Sequence, residues 1–156
     1  MNAVLRAKLA RCDAPEVSFT LDGQAVSGRA DESILQIAQR AGVQIPHLCW
    51  TPGLEPAGNC RACVVEVAGE RTLAASCCRR PTPGMNVQSA SPRARASQKL
   101  VLELLQADQP EASHTRHNEL DAWSATLGLG PPRFAARAPQ DTPAADLSHA
   151  AIAVNL

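Results

Sequence analysis

The start of the chain alternates hydrophobic and polar residues, the pattern of a half-buried strand. Every second residue of segment 17–21 is hydrophobic, and the residues between are polar. Asp22 and Gly23 follow directly, and an Asp-Gly pair is a strong signal for a tight hairpin turn. The pattern therefore predicts a hairpin whose second strand covers residues 24–27.

The hydrophobic spacing then changes to that of a helix. Segment 33–41 carries apolar residues three and four positions apart, which places them on one helical face. They are Ile34, Ile37, Ala38 and Ala41. Asp31 precedes the segment as a candidate N-cap, and Gly42 follows it as a residue that can end a helix. One helix is predicted here.

Three short strand patterns follow the helix. Residues 64–67 are rich in valine, residues 71–76 are predicted to return as a second strand, and residues 85–88 form a short last strand. One helix over a mixed sheet of four or five strands is a β-grasp arrangement. The pattern therefore predicts the α+β class.

A second segment begins at Ser91 and Pro92, which suit the N-cap and the first position of a helix. The helix is predicted over residues 93–106. Its apolar stripe is predicted to consist of Leu100, Val101 and Leu104. Two interpretations stay open, since such a helix can pack back on the domain or present a docking surface to a partner.

Beyond Pro110 the hydrophobic pattern weakens. Residues 120–127 suit one short helix, and residues 130–146 are rich in proline and alanine, which is typical of an extended linker. The predicted organisation is a flexible leader (1–15), a compact domain (16–90), a docking helix (91–110) and a linker with a tail (111–156).

Composition excludes several classes of function. Lys+Arg and Asp+Glu balance at 15 each and aromatic residues make up 3%, so neither a basic surface nor stacking platforms for nucleic acid are expected. No apolar run approaches the length of a membrane span. Segment 1–11 is basic and mildly amphipathic, but short and poor in serine for a transit peptide. A soluble cytoplasmic protein is expected.

Four of the six cysteines follow the spacing C-x10-C-x2-C-x13-C. They are Cys49, Cys60, Cys63 and Cys77. Soft thiolates select iron–sulfur clusters, zinc or copper(I), and four cysteines are the usual ligand shell of an iron–sulfur cluster. The spacing therefore predicts a cluster and an electron-transfer function, with no side chain acting as an acid or base.

Other uses of the cysteines are weighed against this prediction. Disulfides are disfavoured because no secretory signal is present and intracellular thiols stay reduced. A structural zinc module for protein binding is the main alternative, although such sites usually pair two C-x2-C knuckles. Cys78 directly follows Cys77 and can replace it as the fourth ligand, whereas Cys12 is expected to be incidental.

The loop from Cys49 to Cys63 contains two prolines and two glycines, which predicts an irregular turn. Such a turn can point backbone N–H groups at sulfur atoms. Gly58 allows a positive φ at no steric cost, and Asn59 tolerates one. Trp50 either shields a cluster or only packs in the core. Arg61 either offsets thiolate charge or is only a surface residue.

Segments 45–49, 58–67 and 75–77 resemble the two-iron ferredoxin domain of complex-I-like electron-transfer chains, a likeness that covers about residues 16–110. These chains include the large subunit of respiratory complex I, the small diaphorase subunit of NAD-reducing hydrogenases and NAD-dependent molybdenum formate dehydrogenases. The resemblance implies a [2Fe-2S] cofactor in a ferredoxin-like domain, with the ligands Cys49, Cys60, Cys63 and Cys77. The C-x4-C-x2-C spacing of plant-type ferredoxins is absent.

Within this group the tail favours formate dehydrogenase. Segments 146–149 and 153–156 resemble the connector before the module of two four-iron clusters in its catalytic subunit. The resemblance implies an electron-wire domain between a formate-oxidising molybdenum centre and a flavin subunit that reduces NAD. No molybdenum ligand, pterin-binding region or NAD site is visible. The chain alone is therefore expected not to oxidise formate. It is expected to be either a truncated or split subunit or a free-standing ferredoxin-like partner.

Complex I relatives follow this domain with a segment of one histidine and three cysteines that holds a four-iron cluster. The corresponding region here contains His114 and His117 but no cysteine. We therefore expect no second cluster and two solvated histidines.

Overall fold

The computed structural model describes residues 14–109 and 117–135 in full, and the backbone of residues 146–149 and 152–154. Within these residues the elements follow in this order: β1 (Glu16–Leu21), β2 (Gln24–Arg29), α1 (Ile34–Arg40), β3 (Val64–Val67), β4 (Ala74–Ala75), β5 (Asn86–Gln88), α2 (Pro92–Ala107), α3 (Glu119–Thr126), β6 (Asp146–His149) and β7 (Ile152–Val154).

The first five strands form one mixed sheet in the order β2-β1-β5-β3-β4. β1 and β5 are parallel, and the other neighbouring strands are antiparallel. The predicted first hairpin is confirmed, because Asp22 and Gly23 have φ values of 50° and 82°, as a type I′ turn requires. Together with α1 this sheet confirms the predicted α+β, β-grasp arrangement. β4 is shorter than the strand predicted over residues 71–76.

The N-cap of helix α1 lies two residues later than predicted. Its N-cap is Ser33, whose hydroxyl accepts the amide of Gln36 at 3.3 Å, while the Gln36 side chain accepts the amide of Ser33 at 2.8 Å. The prediction of Asp31 as the cap is wrong, because only Ser33 has a glutamine three residues on to complete this reciprocal capping box. Asp31 pairs with Arg29 instead, at 3.0 Å. Gly42 follows the helix with a φ of 76°, as predicted.

The main hydrophobic core lies between α1 and the sheet. Its fully or nearly fully buried members include Phe19, Leu21, Ile34, Leu35, Ile37, Val65 and Val87. A side chain on Gly28 would place its Cβ 2.5 Å from Cδ1 of Ile37, so the glycine lets α1 lie close to β2. Cys63 and Cys77 belong to the same core, each with 1% of its surface exposed.

The start of α2 is confirmed, and its predicted apolar stripe is wrong for Leu100 and Leu104, whereas Val101 packs partly buried against other hydrophobic residues. The Ser91 hydroxyl caps the helix by accepting the amide of Ala94 at 3.1 Å, and Pro92 occupies the first helical position. Leu100 and Leu104 are 42% and 45% exposed, whereas Leu102 is completely buried. The buried face of α2 is therefore rotated away from the predicted stripe.

Two polar residues on the buried face explain this error, since they hide the helical period of the apolar positions. The Gln98 amide nitrogen donates to the carbonyls of Val64 at 2.8 Å and Ser89 at 3.0 Å. The Glu103 carboxylate accepts from Nε of Arg133 at 2.6 Å. Helix α2 thus packs back on the domain, while its docking role stays a prediction.

Helix α3 lies close to the predicted position. Asn118 caps it by accepting the amide of Leu120 at 2.9 Å. Further along, β6 and β7 pair as an antiparallel hairpin within the segment that the sequence places in the linker and tail, a feature the prediction did not include. Among the described residues, no helix has both the length and the apolar character needed to span a bilayer.

Candidate metal centre

The loop between α1 and β3 supplies three of the four predicted ligands. Cys49 lies in its first part, and Cys60 and Cys63 lie at its end, directly before β3 begins. Cys77 follows the short strand β4. Because β3 and β4 pair through Val64 and Ala75, the sheet itself brings the ends that carry Cys63 and Cys77 together.

The four thiols are arranged as two pairs. The Cys60 amide nitrogen lies 3.5 Å from the Cys49 sulfur, and the thiol of Cys60 is close enough to that of Cys49 to shift its pKa. The thiol of Cys63 is likewise close enough to shift the pKa of Cys77. The first pair lies in the partly exposed loop, and the second lies in the main core.

Ser76 fixes the second pair, a role that sequence reasoning missed. Its amide and its hydroxyl both donate to the carbonyl oxygen of Cys63, at 3.1 Å and 2.7 Å. Its own carbonyl accepts the amide of Leu35 in the first turn of α1 at 3.0 Å, and the carbonyl of Arg79 accepts the amide of Ile34 at 2.9 Å. The turn that carries Cys77 is thus held by β3 on one side and by the start of α1 on the other.

Replacing Ser76 with alanine should weaken the site without unfolding the domain. A buried hydrogen bond of this kind contributes about 1 kcal/mol, so S76A should lower the free energy of unfolding by about that amount and speed cluster loss. The rate of bleaching of the visible absorbance measures the second effect. S124A is the matched control, because the Ser124 hydroxyl is equally buried but has no hydrogen-bond partner among the described residues. Equal bleaching rates in S76A and S124A would contradict the assigned role.

The loop backbone contains two left-handed residues around the close cysteine pair. Gly58 has a φ of 67°, as predicted, while Asn59 does not adopt this conformation. Arg61 does, with a φ of 59°. A left-handed non-glycine residue costs about 1–2 kcal/mol, so the knuckle between Cys60 and Cys63 is maintained against local strain. The exposed Arg61 side chain leaves from this knuckle.

Backbone amides converge on the first thiol pair. Burial opposes ionisation of Cys49, but the nearby amide and thiol of Cys60 and the amides of Asn59 and Gly58 lower the pKa of Cys49 below its ordinary value. The Cys60 amide nitrogen lies 3.5 Å from the Cys49 sulfur. Burial raises the pKa of Cys60, although the amide of Ala62 partly opposes this. Amide donors aimed at sulfur are the feature that stabilises a bound anionic cluster.

Burial also dominates at the second pair. Loss of hydration raises the pKa of Cys77 well above its ordinary value, and the neighbouring thiols of Cys63 and Cys78 raise it further. A buried thiol of this kind ionises when a cation compensates its charge, as happens on metal binding. The second pair therefore suits a bound metal better than a free thiolate.

Gly58→Ala tests whether the backbone amides near the Cys49 sulfur stabilise a bound cluster. An added Cβ would lie 2.8 Å from the Cys78 sulfur, on a residue that already has a positive φ. The shift this forces should move the Gly58 amide off the Cys49 sulfur, disfavour the more negative reduced cluster and lower its midpoint potential. An EPR-monitored redox titration measures this potential. G53A is the control, since Gly53 has a φ of 88° but nothing within 4 Å of its added Cβ. Equal midpoint potentials in G58A and the unmodified chain would show that the Gly58 amide does not stabilise the reduced cluster.

Aromatic residues surround the approach to Cys49. His47 meets Trp50 edge to face with ring centroids 5.6 Å apart, and its ring lies 5.5 Å from that of Trp123. Trp50 packs against the main core and, with Cys77, lines a cavity of about 170 Å³. Its core packing is thus observed, while its shielding role stays a prediction. Sequence reasoning missed Trp123, because nothing in α3 signals a contact with residue 47.

A second hydrophobic cluster backs the cysteine loop. Ala62 is completely buried there against Leu102 of α2 and Leu120 and Leu127 at the two ends of α3. Cys60 is partly buried on the same cluster. Helices α2 and α3 therefore form part of the wall of the site, although they lie beyond the first five strands.

The thiol arrangement fits a binuclear iron–sulfur cluster. Each of its two irons takes two cysteines, which matches two separate thiol pairs. A structural zinc ion instead needs four ligands converging on one point. Among the described residues, no three His, Cys, Asp or Glu side chains come together to hold a single metal ion. His117 is exposed, as predicted for a solvated histidine, and Cys12 and His114 lie outside the described residues.

Comparison with known proteins agrees with this chemistry. Residues 14–92 match the family model of the 2Fe-2S iron-sulfur cluster binding domain. The mitochondrial 78 kDa subunit of NADH-ubiquinone oxidoreductase from Neurospora crassa is 41% identical over 95 residues, covering 61% of this chain and 13% of the relative. An NADH-quinone oxidoreductase subunit from Streptomyces coelicolor is 42% identical over 96 residues, covering 60% of this chain and 11% of the relative.

A solved structure extends the similarity. A chain from the crystal structure of the NAD+-reducing [NiFe]-hydrogenase in the H2-reduced state superposes with a TM-score of 0.71 at 32% sequence identity. The match covers 80% of this chain and 54% of that chain. The chain therefore spans about half of its structural relative and a small part of the two oxidoreductase subunits.

Proposed function

The chain belongs to the family of 2Fe-2S iron-sulfur cluster binding domains, and from this premise we propose that Cys49, Cys60, Cys63 and Cys77 hold its cluster. The domain is an electron-transfer domain of the kind found in complex-I-like subunits, and its cofactor is a [2Fe-2S] cluster. The observation that carries the ligand assignment is the placement of the four cysteines. The Cys60 amide lies 3.5 Å from the Cys49 sulfur, and the pairing of β3 with β4 brings the chain ends that carry Cys63 and Cys77 together.

A bound [2Fe-2S] cluster takes up and gives up one electron, and the protein supplies binding and electrostatics. Four thiolates outweigh the charge of two ferric irons and two sulfides, so the site must tolerate negative charge. The amides of residues 58–60 lie near the Cys49 sulfur, with the Cys60 nitrogen at 3.5 Å, and offset this charge. Arg61, between two ligands, adds a positive charge at the surface of the loop. No side chain is required to transfer a proton.

We propose that the domain works as the electron wire of an NAD-dependent formate dehydrogenase complex in the cytoplasm. In this role it passes electrons from a molybdenum centre that oxidises formate to a flavin subunit that reduces NAD. The tail sequence at residues 146–149 and 153–156 supports this choice. The names of the relatives contain NAD(H) chemistry, which supports an NAD-linked complex and does not distinguish formate from H2 as the electron donor.

A second candidate is a diaphorase-type subunit of an NAD-reducing hydrogenase. The structural similarity to a chain of such a hydrogenase, with a TM-score of 0.71, favours it. Both candidates use the same cluster and the same direction of electron flow. They differ in the donor, which is formate in one case and H2 in the other.

A complex isolated through a tag on the full chain distinguishes the two candidates. We expect NAD+ reduction with formate and not with H2, and loss of this activity when Cys60 is replaced. NAD+ reduction with H2 alone would support the hydrogenase role. A complex that contains the cluster but uses neither donor would contradict both assignments while leaving the electron-transfer domain intact.

A further inference from the structure

A fifth thiol lies directly beside the four predicted ligands. The Cys78 sulfur is 3.5 Å from the Cys77 sulfur, whereas Cys77 is buried in the core and Cys78 is exposed. Peptide geometry places the α-carbons of these neighbours about 3.8 Å apart. The distance between the two sulfurs is thus about the same as the distance between the two α-carbons.

The Cys78 side chain points back toward the cysteine loop. Its sulfur lies 4.0 Å from the carbonyl oxygen of Pro56. It also lies 2.8 Å from the position that a Cβ on Gly58 would occupy, so it fills the space that the glycine leaves open. With Cys77 and Trp50 it lines the cavity of about 170 Å³. Cys78 therefore belongs to the wall of the metal centre.

We propose that Cys78 is a reserve ligand of the cluster, able to take the position of Cys77 when that sulfur is absent or blocked. The inference rests on the proposed ligand set and extends it by one residue. In the exchange, the Cys78 thiol loses its proton to water and its sulfur bonds the iron that Cys77 held. The released Cys77 sulfur, where present, takes up a proton. No electron is gained or lost.

The local backbone permits this exchange at small cost. The turn is held through the amides of Cys78 and Arg79, which both donate to the carbonyl of Ala75, and through Ser76. These bonds use main-chain atoms and the Ser76 hydroxyl, not the Cys78 sulfur. The facing loop segment 51–55 is exposed, so it can follow a small displacement of the metal without disturbing the core.

Three variants of the full chain test the proposal: C78A, C77A and the double variant C77A/C78A. Each is purified anaerobically and characterised by its iron and sulfide content and by EPR after dithionite reduction. We expect C78A to keep two irons and two sulfides, because Cys77 still occupies the ligand position. C77A should retain two irons but show shifted g values, because a different sulfur now binds one iron. The double variant should lose the cluster signal.

The outcomes separate failure of this inference from failure of the proposed function. If C77A loses its cluster while C78A keeps a normal one, Cys78 is no reserve ligand and the four-ligand set stands. If C78A loses the cluster while C77A is unchanged, Cys78 is the primary ligand and the proposal is overturned. An unmodified chain without iron and sulfide would overturn the proposed function itself.

A second pair of variants guards against misfolding, because Cys77 is buried and alanine leaves a cavity. C77S keeps nearly the same volume and is compared with C77S/C78S by the same measurements. A cluster in C77S that disappears in C77S/C78S supports the proposal. A cluster that persists in C77S/C78S is held by the serine oxygen and overturns it.

Discussion

Cys60→Ala should yield a protein without a [2Fe-2S] cluster. The Cys60 thiol pairs with that of Cys49, and its removal leaves one thiol where an iron requires two. The additional thiol of Cys78 contacts the other pair, at Cys77, so it cannot supply the missing ligand. Iron and sulfide analysis and the EPR spectrum after reduction should show the loss. Cys63→Ala removes a thiol from the pair that Cys78 contacts, so we expect it to change the EPR spectrum of the cluster.

Cluster loss should also lower stability, because a bound metal group contributes its binding free energy to folding. We therefore expect a lower Tm and a looser core in C60A. C12A is the control, because Cys12 is expected to be no ligand, and it should keep full cluster content. A complete, unchanged iron signal in both C60A and C63A would show that the ligand assignment is wrong.

Leu102→Ala should strongly destabilise the domain without removing a ligand. Leu102 is completely buried in the hydrophobic cluster that backs Ala62 and Cys60. A leucine removed from such a position costs about 2–5 kcal/mol, from lost burial and from the cavity left behind. L102A should therefore unfold at a lower temperature and lose its cluster faster, as measured by thermal unfolding and by bleaching of the visible absorbance.

Leu104→Ala is the matched control on the same helix. Leu104 is 45% exposed, so its truncation should change the free energy of unfolding by no more than about 0.5 kcal/mol. The comparison tests whether α2 packs on the cysteine loop through the face that contains Leu102. Equal destabilisation by L102A and L104A would contradict this packing.

Local signals in the sequence were sufficient to predict the structure wherever a short segment determines its own conformation. The Asp22-Gly23 turn requires two positive φ values, and Ser91-Pro92 combines a cap with a residue suited to the first turn. The cysteine spacing predicted an iron–sulfur cluster, and the resemblance to complex-I-like domains implied the [2Fe-2S] type. These features depend on neighbours in the chain and needed no knowledge of the tertiary structure.

Features that depend on distant partners could not be predicted. Gln98 and Glu103 are polar, yet they face the interior because Val64, Ser89 and Arg133 provide hydrogen-bond partners there. This hid the true buried face of α2. In the same way, nothing in the sequence shows that Ser76 holds the turn that carries Cys77 through hydrogen bonds to the Cys63 carbonyl.

Backbone strain was equally hidden from the sequence. Arg61 adopts a positive φ although arginine has no preference for it, and Asn59, which tolerates it better, does not. The positive φ is required because Cys60 and Cys63 lie only three residues apart. The sulfur of Cys60 must face Cys49, whereas that of Cys63 must face Cys77. The structure of the site, and not the preference of the residue, determines this conformation.

Anaerobic purification, followed by iron and sulfide analysis and by EPR after dithionite reduction, decides whether the chain carries a [2Fe-2S] cluster on its two thiol pairs. We predict two irons and two sulfides per chain, with a rhombic signal from one unpaired electron. A colourless protein with one zinc, no sulfide and no signal would contradict the cluster assignment and support a structural zinc module.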